Sequence, residues 1–307
     1  MSARDRLRIL LAMHTNLHIG AHVSAAGGLH RALERGMRIG CNTIQVFTKN
    51  SNRWGARPIL DEDIENYKTA QGNATIAPVV AHAAYLINLC AVTSPVLRRS
   101  CAAFADELRR CEAFGLHGLV LHPGAHMGKG VNEGIRRITE SINAVHEKTP
   151  HVKTLTILET TAGQGTSVGY RFEQLRAIIE GIEEKDRVAV CIDTCHLFAA
   201  GYPIHSEAGW YSSMQEFADI LGFSRLALVH VNDSRRELGS RIDRHEQIGK
   251  GRIGTQGFRM LMNDSRFAAL PKILETEKSE DMHEDIENMA VLRSLVRTAE
   301  APQRGET

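Results

Sequence analysis

The sequence has no Cys-x-x-Cys pair, and its six cysteines are scattered along 307 residues. A chain of this length does not need disulfides to form a core, so the pattern predicts reduced thiols and a cytoplasmic protein. No membrane association is expected, because Pro78, His82, Asn88 and Pro95 interrupt the one long stretch without charged side chains. The short apolar run near the N-terminus lacks a cleavage site, so secretion is not expected either.

An excess of one charge is also missing. The 37 Lys and Arg residues nearly balance 36 Asp and Glu residues, so any polyanion would have to bind a local basic surface. Aromatic residues are few, at 9 Phe, 5 Tyr and 2 Trp, whereas 15 histidines are present. Histidine is a common metal ligand and a costly core residue, so this composition points to a metal site.

Eight short apolar runs rich in β-branched residues recur along the chain, separated by stretches with helical spacing. The runs are 17–22, 43–47, 78–82, 118–122, 155–159, 188–193, 226–231 and 272–275. Alternating strands and helices predict a parallel sheet, and eight units in one chain predict a single (β/α)8 TIM barrel of the α/β class. We place the barrel domain at 16–298, with an N-terminal extension at 1–15 and a C-terminal tail at 299–307.

A histidine or a carboxylate stands at the end of most of these runs. These residues are His22, His82, His122, Glu159, Asp193, His230 and Glu275. The carboxyl ends of barrel strands form the active-site rim, so we expect these side chains to meet there. Carboxylates gathered in a buried site need cations to compensate their charge, which predicts a site for several metal ions.

Two short spacings add further candidate ligands. Asp193 and His196 lie three residues apart, and Asp243 and His245 lie two residues apart. Ligation by His and carboxylate without thiolate is typical of Zn²⁺ or Mn²⁺. The alternative is that Asp193 is only the N-cap of a helix and that His196 is incidental.

Several longer segments are distinctive. They are GAHVSAAGG at 20–28, FTKN at 47–50, YLINL at 85–89, HPG at 122–124, ETTAGQG at 159–165, CIDTCH at 191–196, HVNDS at 230–234 and GSRIDRH at 239–245. In this order, over about residues 17 to 295, they resemble the endonuclease IV family of apurinic/apyrimidinic endonucleases.

The resemblance implies a TIM barrel with three zinc ions at the C-terminal rim of the strands, with Mn²⁺ possible in one position. It implies His82, His122 and Glu159 for one ion, Glu159, Asp193, His230 and Glu275 for a second, and His196, Asp243 and His245 for a third. Glu159 and Glu275 are the predicted catalytic residues, since Glu159 would bridge two ions and Glu275 would also orient the nucleophile. The implied reaction is hydrolysis of the phosphodiester 5′ to an abasic site, leaving a 3′-hydroxyl and a 5′-deoxyribose phosphate.

The resemblance also implies that Tyr85 and Leu86 enter the minor groove of double-stranded DNA at the abasic site. The alternative is that this pair packs the start of a helix. A second loop departs from the family's Asn-x-Arg-x-Trp pattern, because Asn52 stands at the Arg position and Arg53 directly precedes Trp54. Whether Asn52 or Arg53 takes the DNA-contacting role stays open.

Two basic clusters are candidates for binding the DNA backbone. Lys49, Arg53 and Arg57 fall within nine residues that contain no acid. The segment 234–252 carries Arg235, Arg236, Arg241, Arg244, Lys250 and Arg252 against three acidic residues. Both clusters are predicted in loops on the metal face, where positive potential attracts phosphates. A monomer is the expected oligomeric state.

Two other functions share part of this pattern. A metal-dependent sugar isomerase or epimerase would use Glu159, Asp193, His230 and Glu275 on the same barrel. The additional ligands His82, His122, His196, Asp243 and His245 would then be surplus, so the metal stoichiometry discriminates between the two enzymes. A lesion-binding protein without activity is disfavoured because no ligand position is degraded.

Overall fold

The computed structural model describes residues 17–297, and the predicted extension at 1–15 and tail at 299–307 lie outside the described residues. Eight parallel strands close into a barrel in the order β1-β8-β7-β6-β5-β4-β3-β2. The strands are β1 (Ile19–His22), β2 (Thr43–Val46), β3 (Val79–His82), β4 (Gly118–Leu121), β5 (Leu155–Glu159), β6 (Val188–Asp193), β7 (Leu226–His230) and β8 (Lys272–Leu274). The predicted TIM barrel is confirmed.

Each predicted apolar run contains one strand, although several strands are a residue or two shorter than the run. Pro78 precedes β3 because proline has no N–H to donate to the ladder. β4 ends at Leu121 and β8 at Leu274, so His122 and Glu275 lie just beyond their strands. The ligand candidates still meet at one rim, because adjacent parallel strands end at the same edge.

Helices follow the strands along the outside of the barrel. They are α1 (Leu29–Arg38), α2 (Asp61–Gly72), α3 (Ser94–Phe114), α4 (Val131–Glu147), α5 (Phe172–Gly181), α6 (Thr194–Ala200), α7 (Glu207–Ile220), α8 (Gly254–Asn263) and α9 (His283–Ser294). In α1, Leu29, Ala32, Leu33 and Gly36 are buried, a spacing that places them on one face. Within residues 17–297, no helix has both the length and the apolarity needed to cross a membrane.

The barrel interior is a small apolar core that ends below the rim. Val80, Val120, Ile157, Ala189, Cys191, Leu228 and Ile273 form it, and a larger core lies between the barrel and the helices. Strands β1 and β2 approach each other closely at Gly20, where an added Cβ would lie 1.7 Å from the carbonyl oxygen of Thr43. The packed interior supports the polar side chains at the strand ends, since water is excluded beneath them.

Short strand pairs shape two of the loops above the rim. Gly124–Ala125 pairs with Ser167–Val168, and Asp233–Ser234 pairs with His245–Glu246. The buried carboxylate of Asp233 also accepts hydrogen bonds from backbone amides of the 249–254 segment. This anchoring fixes the loop that carries His245.

Candidate metal centre

The structure brings all nine predicted ligands to the carboxyl rim of the barrel. They form three groups in which the candidate ligand atoms lie within 4.8 Å of one another: His82, His122 and Glu159; Glu159, Asp193, His230 and Glu275; and His196, Asp243 and His245. The three groups match the three sets that the resemblance implied.

Glu159 ends β5 at the middle of the centre and is fully buried. Its Oε2 lies 3.2 Å from His82 Nε2 and 3.1 Å from His122 Nε2. Its Oε1 lies 2.9 Å from His230 Nδ1, on the side of the second group. One carboxylate therefore presents an oxygen to each of two ligand groups, which is the arrangement that a bridging ligand needs.

The second group surrounds the Nδ1 atom of His230 at the end of β7. Glu275 Oε2 lies 3.1 Å from this atom, and Asp193 Oδ2 lies 4.0 Å from it. Three carboxylates and one imidazole thus converge on a space that is closed to bulk water on the barrel side. Such a set of oxygen and nitrogen donors suits a divalent cation, because the cation compensates buried negative charge.

The third group joins α6 to the 239–246 loop. His196 Nε2 lies 3.1 Å from Asp243 Oδ2, and His245 Nε2 lies 3.3 Å from Asp243 Oδ1. Although Asp243 lies this close, the geometry is not that of a hydrogen bond, and the two buried Nε2 atoms have no hydrogen-bond partner among the described residues. Buried polar atoms are rarely left without a partner, so these two nitrogens fit metal coordination.

Four of the histidines are held by their other ring nitrogen. Nδ1 of His82, His196 and His245 lies 2.8, 2.8 and 3.0 Å from the backbone oxygens of Ala83, Thr160 and Glu275, respectively. His230 is reversed, since its Nε2 lies 2.8 Å from Gln45 Oε1. An oxygen partner at one nitrogen makes that nitrogen the N–H donor and leaves the lone pair of the other facing the centre, as metal-binding histidines require.

Gln45 was not among the sequence candidates, although it contacts two candidate ligands, Glu275 and His230. It is fully buried on β2, and its amide nitrogen donates to Glu275 Oε1 at 2.5 Å and approaches His22 Nδ1 at 3.0 Å. Because its amide oxygen accepts from His230, one side chain orients two candidate ligands. The available signal was an amide inside the otherwise apolar run 43–47.

Asp193 is a helix N-cap and also faces the ligand cluster, so the cap does not exclude the ligand role, which stays a prediction. Its Oδ1 caps α6 by accepting from the amide of His196 at 2.8 Å. Its Oδ2 accepts from Asn232 Nδ2 at 2.6 Å and faces the ligand cluster. Asn232, which the sequence analysis missed, also accepts from the Glu275 amide at 2.8 Å. The helix cap therefore places His196, and the two interpretations do not compete.

Carboxylates and imidazoles in the centre shift one another's pKa values. Burial opposes ionisation of Glu159, but the neighbouring His230 and His122 hold its pKa well below the usual range. Burial also opposes protonation of His245, but Asp193 and Asp243 raise its pKa to about 9. In the metal-free chain, the cluster therefore stabilises positive charge among its carboxylates. A bound divalent cation would be stabilised by the same field.

A cavity of about 260 Å³ opens above these ligands and is lined by His22, Phe47, Tyr85 and several of the candidate histidines. A larger groove of about 710 Å³ lies between α3 and α4 on the side of the barrel. It contains none of the clustered ligands, so the smaller cavity at the rim is the candidate active site.

Tyr85 and Leu86 lie in the loop between β3 and α3, next to this cavity. Tyr85 is 66% exposed, and its ring meets the edge of Phe47 with the centroids 5.4 Å apart. Leu86 is half-buried, and α3 begins only at Ser94. Tyr85 therefore does not pack a helix start, and it is available to a molecule that approaches the metal centre.

The second loop presents Asn52 and Arg53 to solvent, whereas Trp54 is half-buried. Lys49 does not share this exposure. Its side chain is 1% exposed, and its ammonium lies 3.2 Å from Glu107 Oε1 and donates to the Trp54 carbonyl oxygen at 2.9 Å. The partners of its ammonium lie inside the protein, so this structure does not present Lys49 to solvent as the predicted contact with DNA would require.

Some of the other predicted basic residues pair with carboxylates, and others do not. Arg57 forms two hydrogen bonds of 2.7 Å with Asp63, Arg235 pairs with Glu246 and Glu277, and Arg252 pairs with Glu237. Arg236, Arg241, Arg244 and Lys250 are exposed and have no carboxylate partner within residues 17–297. These four side chains leave the 234–252 loop with local positive charge.

The fold and the candidate metal centre together define the class of protein to which the chain belongs. Residues 33–295 match the family model of the xylose isomerase-like TIM barrel. A sugar epimerase, 3-keto-D-glucoside 4-epimerase from E. coli, shares this barrel with a TM-score of 0.64 at 16% identity, over 91% of this chain and 99% of that one. At that identity the likeness concerns the fold alone.

Two more similar proteins narrow the class to one family. The chain is 47% identical to the probable endonuclease 4 of Geobacter sulfurreducens over 291 residues, which cover 95% of this chain and 98% of that relative. Endonuclease IV from Thermus thermophilus superposes with a TM-score of 0.81 at 30% identity, over 91% of this chain and 98% of that one. The chain belongs to the endonuclease 4 family. The resemblance seen in the sequence and the prediction of an endonuclease are confirmed, and the sugar isomerase alternative is disfavoured.

Proposed function

We propose that the protein hydrolyses double-stranded DNA at abasic sites, cutting the phosphodiester on the 5′ side of the lesion. The observation that carries this proposal is the threefold grouping of the ligands, in which Glu159 is shared by two groups and two buried nitrogens of the third have no hydrogen-bond partner among the described residues. A sugar isomerase with one or two ions would not need the third group. The cut leaves a 3′-hydroxyl and a 5′-deoxyribose phosphate.

The residues fit three divalent ions, for which we propose Zn²⁺, with Mn²⁺ possible in one position. His82 and His122 would hold the first ion, Asp193, His230 and Glu275 the second, and His196, Asp243 and His245 the third, with Glu159 between the first two. When bound, such ions supply a nucleophile at neutral pH and compensate charge on the reacting phosphate and on the departing oxygen.

The chain's own residues contribute orientation and charge. Gln45 fixes the Glu275 carboxylate by donating to its Oε1, and the carboxylate accepts a hydrogen bond from the attacking water and aligns it with phosphorus. The P–O3′ bond breaks, and the 3′ oxygen leaves on the preceding nucleotide. Tyr85 and Leu86 fill the space left by the extruded abasic nucleotide, which has no base to unpair. Either Asn52 or Arg53 contacts the duplex from the second loop.

The proposed working form is a monomer in the cytoplasm. The exposed side chains of Arg236, Arg241, Arg244 and Lys250, which have no carboxylate partner among the described residues, bind the phosphates of the duplex, so affinity should fall with rising salt concentration.

The test is a duplex that carries one abasic analogue and is labelled at either end. We expect a single cut on the 5′ side of the analogue, with a 3′-hydroxyl that a polymerase extends, and no cut in the matched undamaged duplex. Equal cutting of both duplexes, or a product without an extendable 3′ end, would contradict the proposal.

A further inference from the structure

The inward position of Lys49 creates a buried polar cluster beneath the candidate DNA surface. Lys49 Nζ lies 3.2 Å from Glu107 Oε1 and donates to the carbonyl oxygen of Trp54 at 2.9 Å. The Glu107 carboxylate also faces the amide of Ala84, with N···O distances of 3.2 and 3.3 Å. The side chains of Lys49 and Glu107 are each 1% exposed. We call these two side chains the α3 clamp, because Glu107 lies on α3.

The clamp joins two loops that are separate in the sequence. One loop follows β2 and contains Trp54, and the other follows β3 and contains Ala84. Trp54 directly follows Arg53, and Ala84 directly precedes Tyr85. Each backbone group held by the clamp is thus adjacent to a residue proposed to contact DNA.

Further contacts tie the same elements together. Arg110, also on α3, donates to the carbonyl oxygen of Arg57 at 2.5 Å and to Asp106 at 2.9 Å. Phe47, at the base of the second loop, meets the ring of Tyr85. The two loops therefore share one support, and the clamp is its buried charged part.

A buried ion pair is a poor device for stability alone, because apolar residues of similar volume often stabilise a protein as well or better. This pair instead fixes the positions of two loops, since Lys49 donates to a backbone oxygen of one loop and Glu107 accepts from a backbone amide of the other. Loops fixed before binding avoid the cost of ordering them on the ligand, which strengthens binding.

We propose that Lys49 and Glu107 are positioning residues for lesion recognition, which hold the Arg53 and Tyr85 loops at a fixed spacing before DNA binds. This inference rests on the proposed function for its DNA partner. It assigns Lys49 a role in binding that does not involve contact with a phosphate.

The main variant is the double substitution Lys49→Met with Glu107→Leu, which removes both buried charges and leaves neither unpaired. Hydrogen–deuterium exchange is followed in segments 48–58 and 83–90 of the metal-loaded protein without DNA. We expect faster exchange in both segments, with unchanged metal content. Lys272→Met is the matched control, because it removes another buried ammonium, bonded to the Phe267 and Leu270 carbonyl oxygens near the start of β8. It should leave both segments unchanged.

Glu107→Gln is a milder second variant in case the double variant does not fold. Its amide oxygen still accepts from the Ala84 amide, but it no longer pairs with the Lys49 charge. Exchange should therefore rise in segment 48–58 and not in segment 83–90. Unchanged exchange in segment 48–58 would overturn the inference.

With abasic duplex, the double variant should bind about tenfold more weakly, and kcat at saturating DNA should change less than about twofold. Wild-type affinity, or a loss confined to kcat, would overturn the positioning role. Failure of the proposed function gives a different result, because the wild-type protein would then not cut the abasic duplex while the exchange data would still report on the clamp.

Discussion

At the scale of single residues, Glu159 has the most central place in the account. Its two oxygens face different ligand groups. Its side chain is fully buried, so solvent water cannot take its place. Glu275 is the second catalytic candidate, and Gln45 orients it by donating to its carboxylate. In the proposed function, both carboxylates would act on the reacting centre and not on the surface proposed to contact DNA.

We therefore expect Glu159→Gln and Glu275→Gln each to lower cleavage of abasic duplex at least about 100-fold while binding of that duplex changes little. The measurement is single-turnover cleavage beside equilibrium binding, with melting temperature as the check on folding. Glu180→Gln, at an exposed position of α5, is the control and should behave as wild type. Near-wild-type turnover in either active-site variant would remove that residue from the catalytic centre.

A residue far from the centre predicts how stability depends on pH. His146 on α4 is buried against Thr156, and burial, reinforced by the charge of Arg187, lowers its pKa to about 4. The unfolded chain takes up the proton near pH 6.5, so the native state loses stability as pH falls from about 6.5 towards 4. At pH 5 the loss is on the order of 2 kcal/mol.

His146→Gln keeps a partner for Thr156 and cannot be protonated. Its free energy of unfolding should therefore fall less between pH 7.5 and pH 5 than that of the wild-type protein, as followed by denaturant titration. His205→Gln, at an exposed position, should keep the wild-type pH dependence. A His146 variant with the full wild-type loss at pH 5 would contradict the assignment.

At the scale of elements, the eight strands and their order could be predicted because buried parallel strands form continuous apolar runs. Seven of the nine candidate ligands could be picked out because they lie at the ends of those runs or within three residues of one. Asp243 and His245 lie more than ten residues beyond the run 226–231 and were indicated only by their short spacing and by the resemblance. Gln45 could not be assigned, since a polar residue inside a run gives no direction for its amide. The inward turn of Lys49 was equally hidden, because the acid that attracts it, Glu107, lies on a helix 58 positions further along the chain.

Two loops supply the proposed contacts with the lesion, and substitutions in each loop test these contacts directly. Tyr85→Ala and Leu86→Ala should each weaken binding of abasic duplex about tenfold, because apolar side chains inserted between bases stabilise the bent duplex. Arg53→Ala tests whether the altered second loop contributes as well. Tyr211→Ala removes another exposed tyrosine, on α7, and should leave binding unchanged.

The contrast between damaged and undamaged duplex separates recognition from general affinity. Stable Tyr85 and Leu86 variants that bind abasic duplex as tightly as wild type would refute the insertion of this pair. A loss limited to these two variants, with Arg53→Ala unchanged, would assign the contact to the loop after β3. Any contribution from the loop after β2 would then have to come from Asn52.

At the scale of the whole molecule, closing the barrel brings candidate ligands from six strand ends, helix α6 and one long loop into a single centre. Glu159 and Glu275 are 116 positions apart in the sequence, yet one oxygen of each carboxylate lies within 3.1 Å of His230 Nδ1. If the nine candidate ligands hold three ions as proposed, release of the ions should be slow, because several bonds must break together. A Mg²⁺ enzyme with one or two carboxylates would lose its ion at once.

Cleavage of abasic duplex should therefore continue when EDTA is present only during the assay, and should stop only after prolonged stripping with a chelator. The measurement is the cleavage rate with EDTA added at the start of the reaction, compared with the rate after overnight dialysis. Immediate inhibition that Mg²⁺ alone reverses would contradict a centre built from nine protein ligands.

The most direct test of the central claim is a metal titration of the stripped protein, followed at once by metal analysis and by cleavage of abasic duplex. We expect Zn²⁺ to restore 5′ cleavage, activity to reach its plateau as the bound metal approaches three ions per chain, and His196→Ala to remove one of these ions. Full activity with a single bound ion, or cleavage that persists in fully stripped protein, would contradict this expectation.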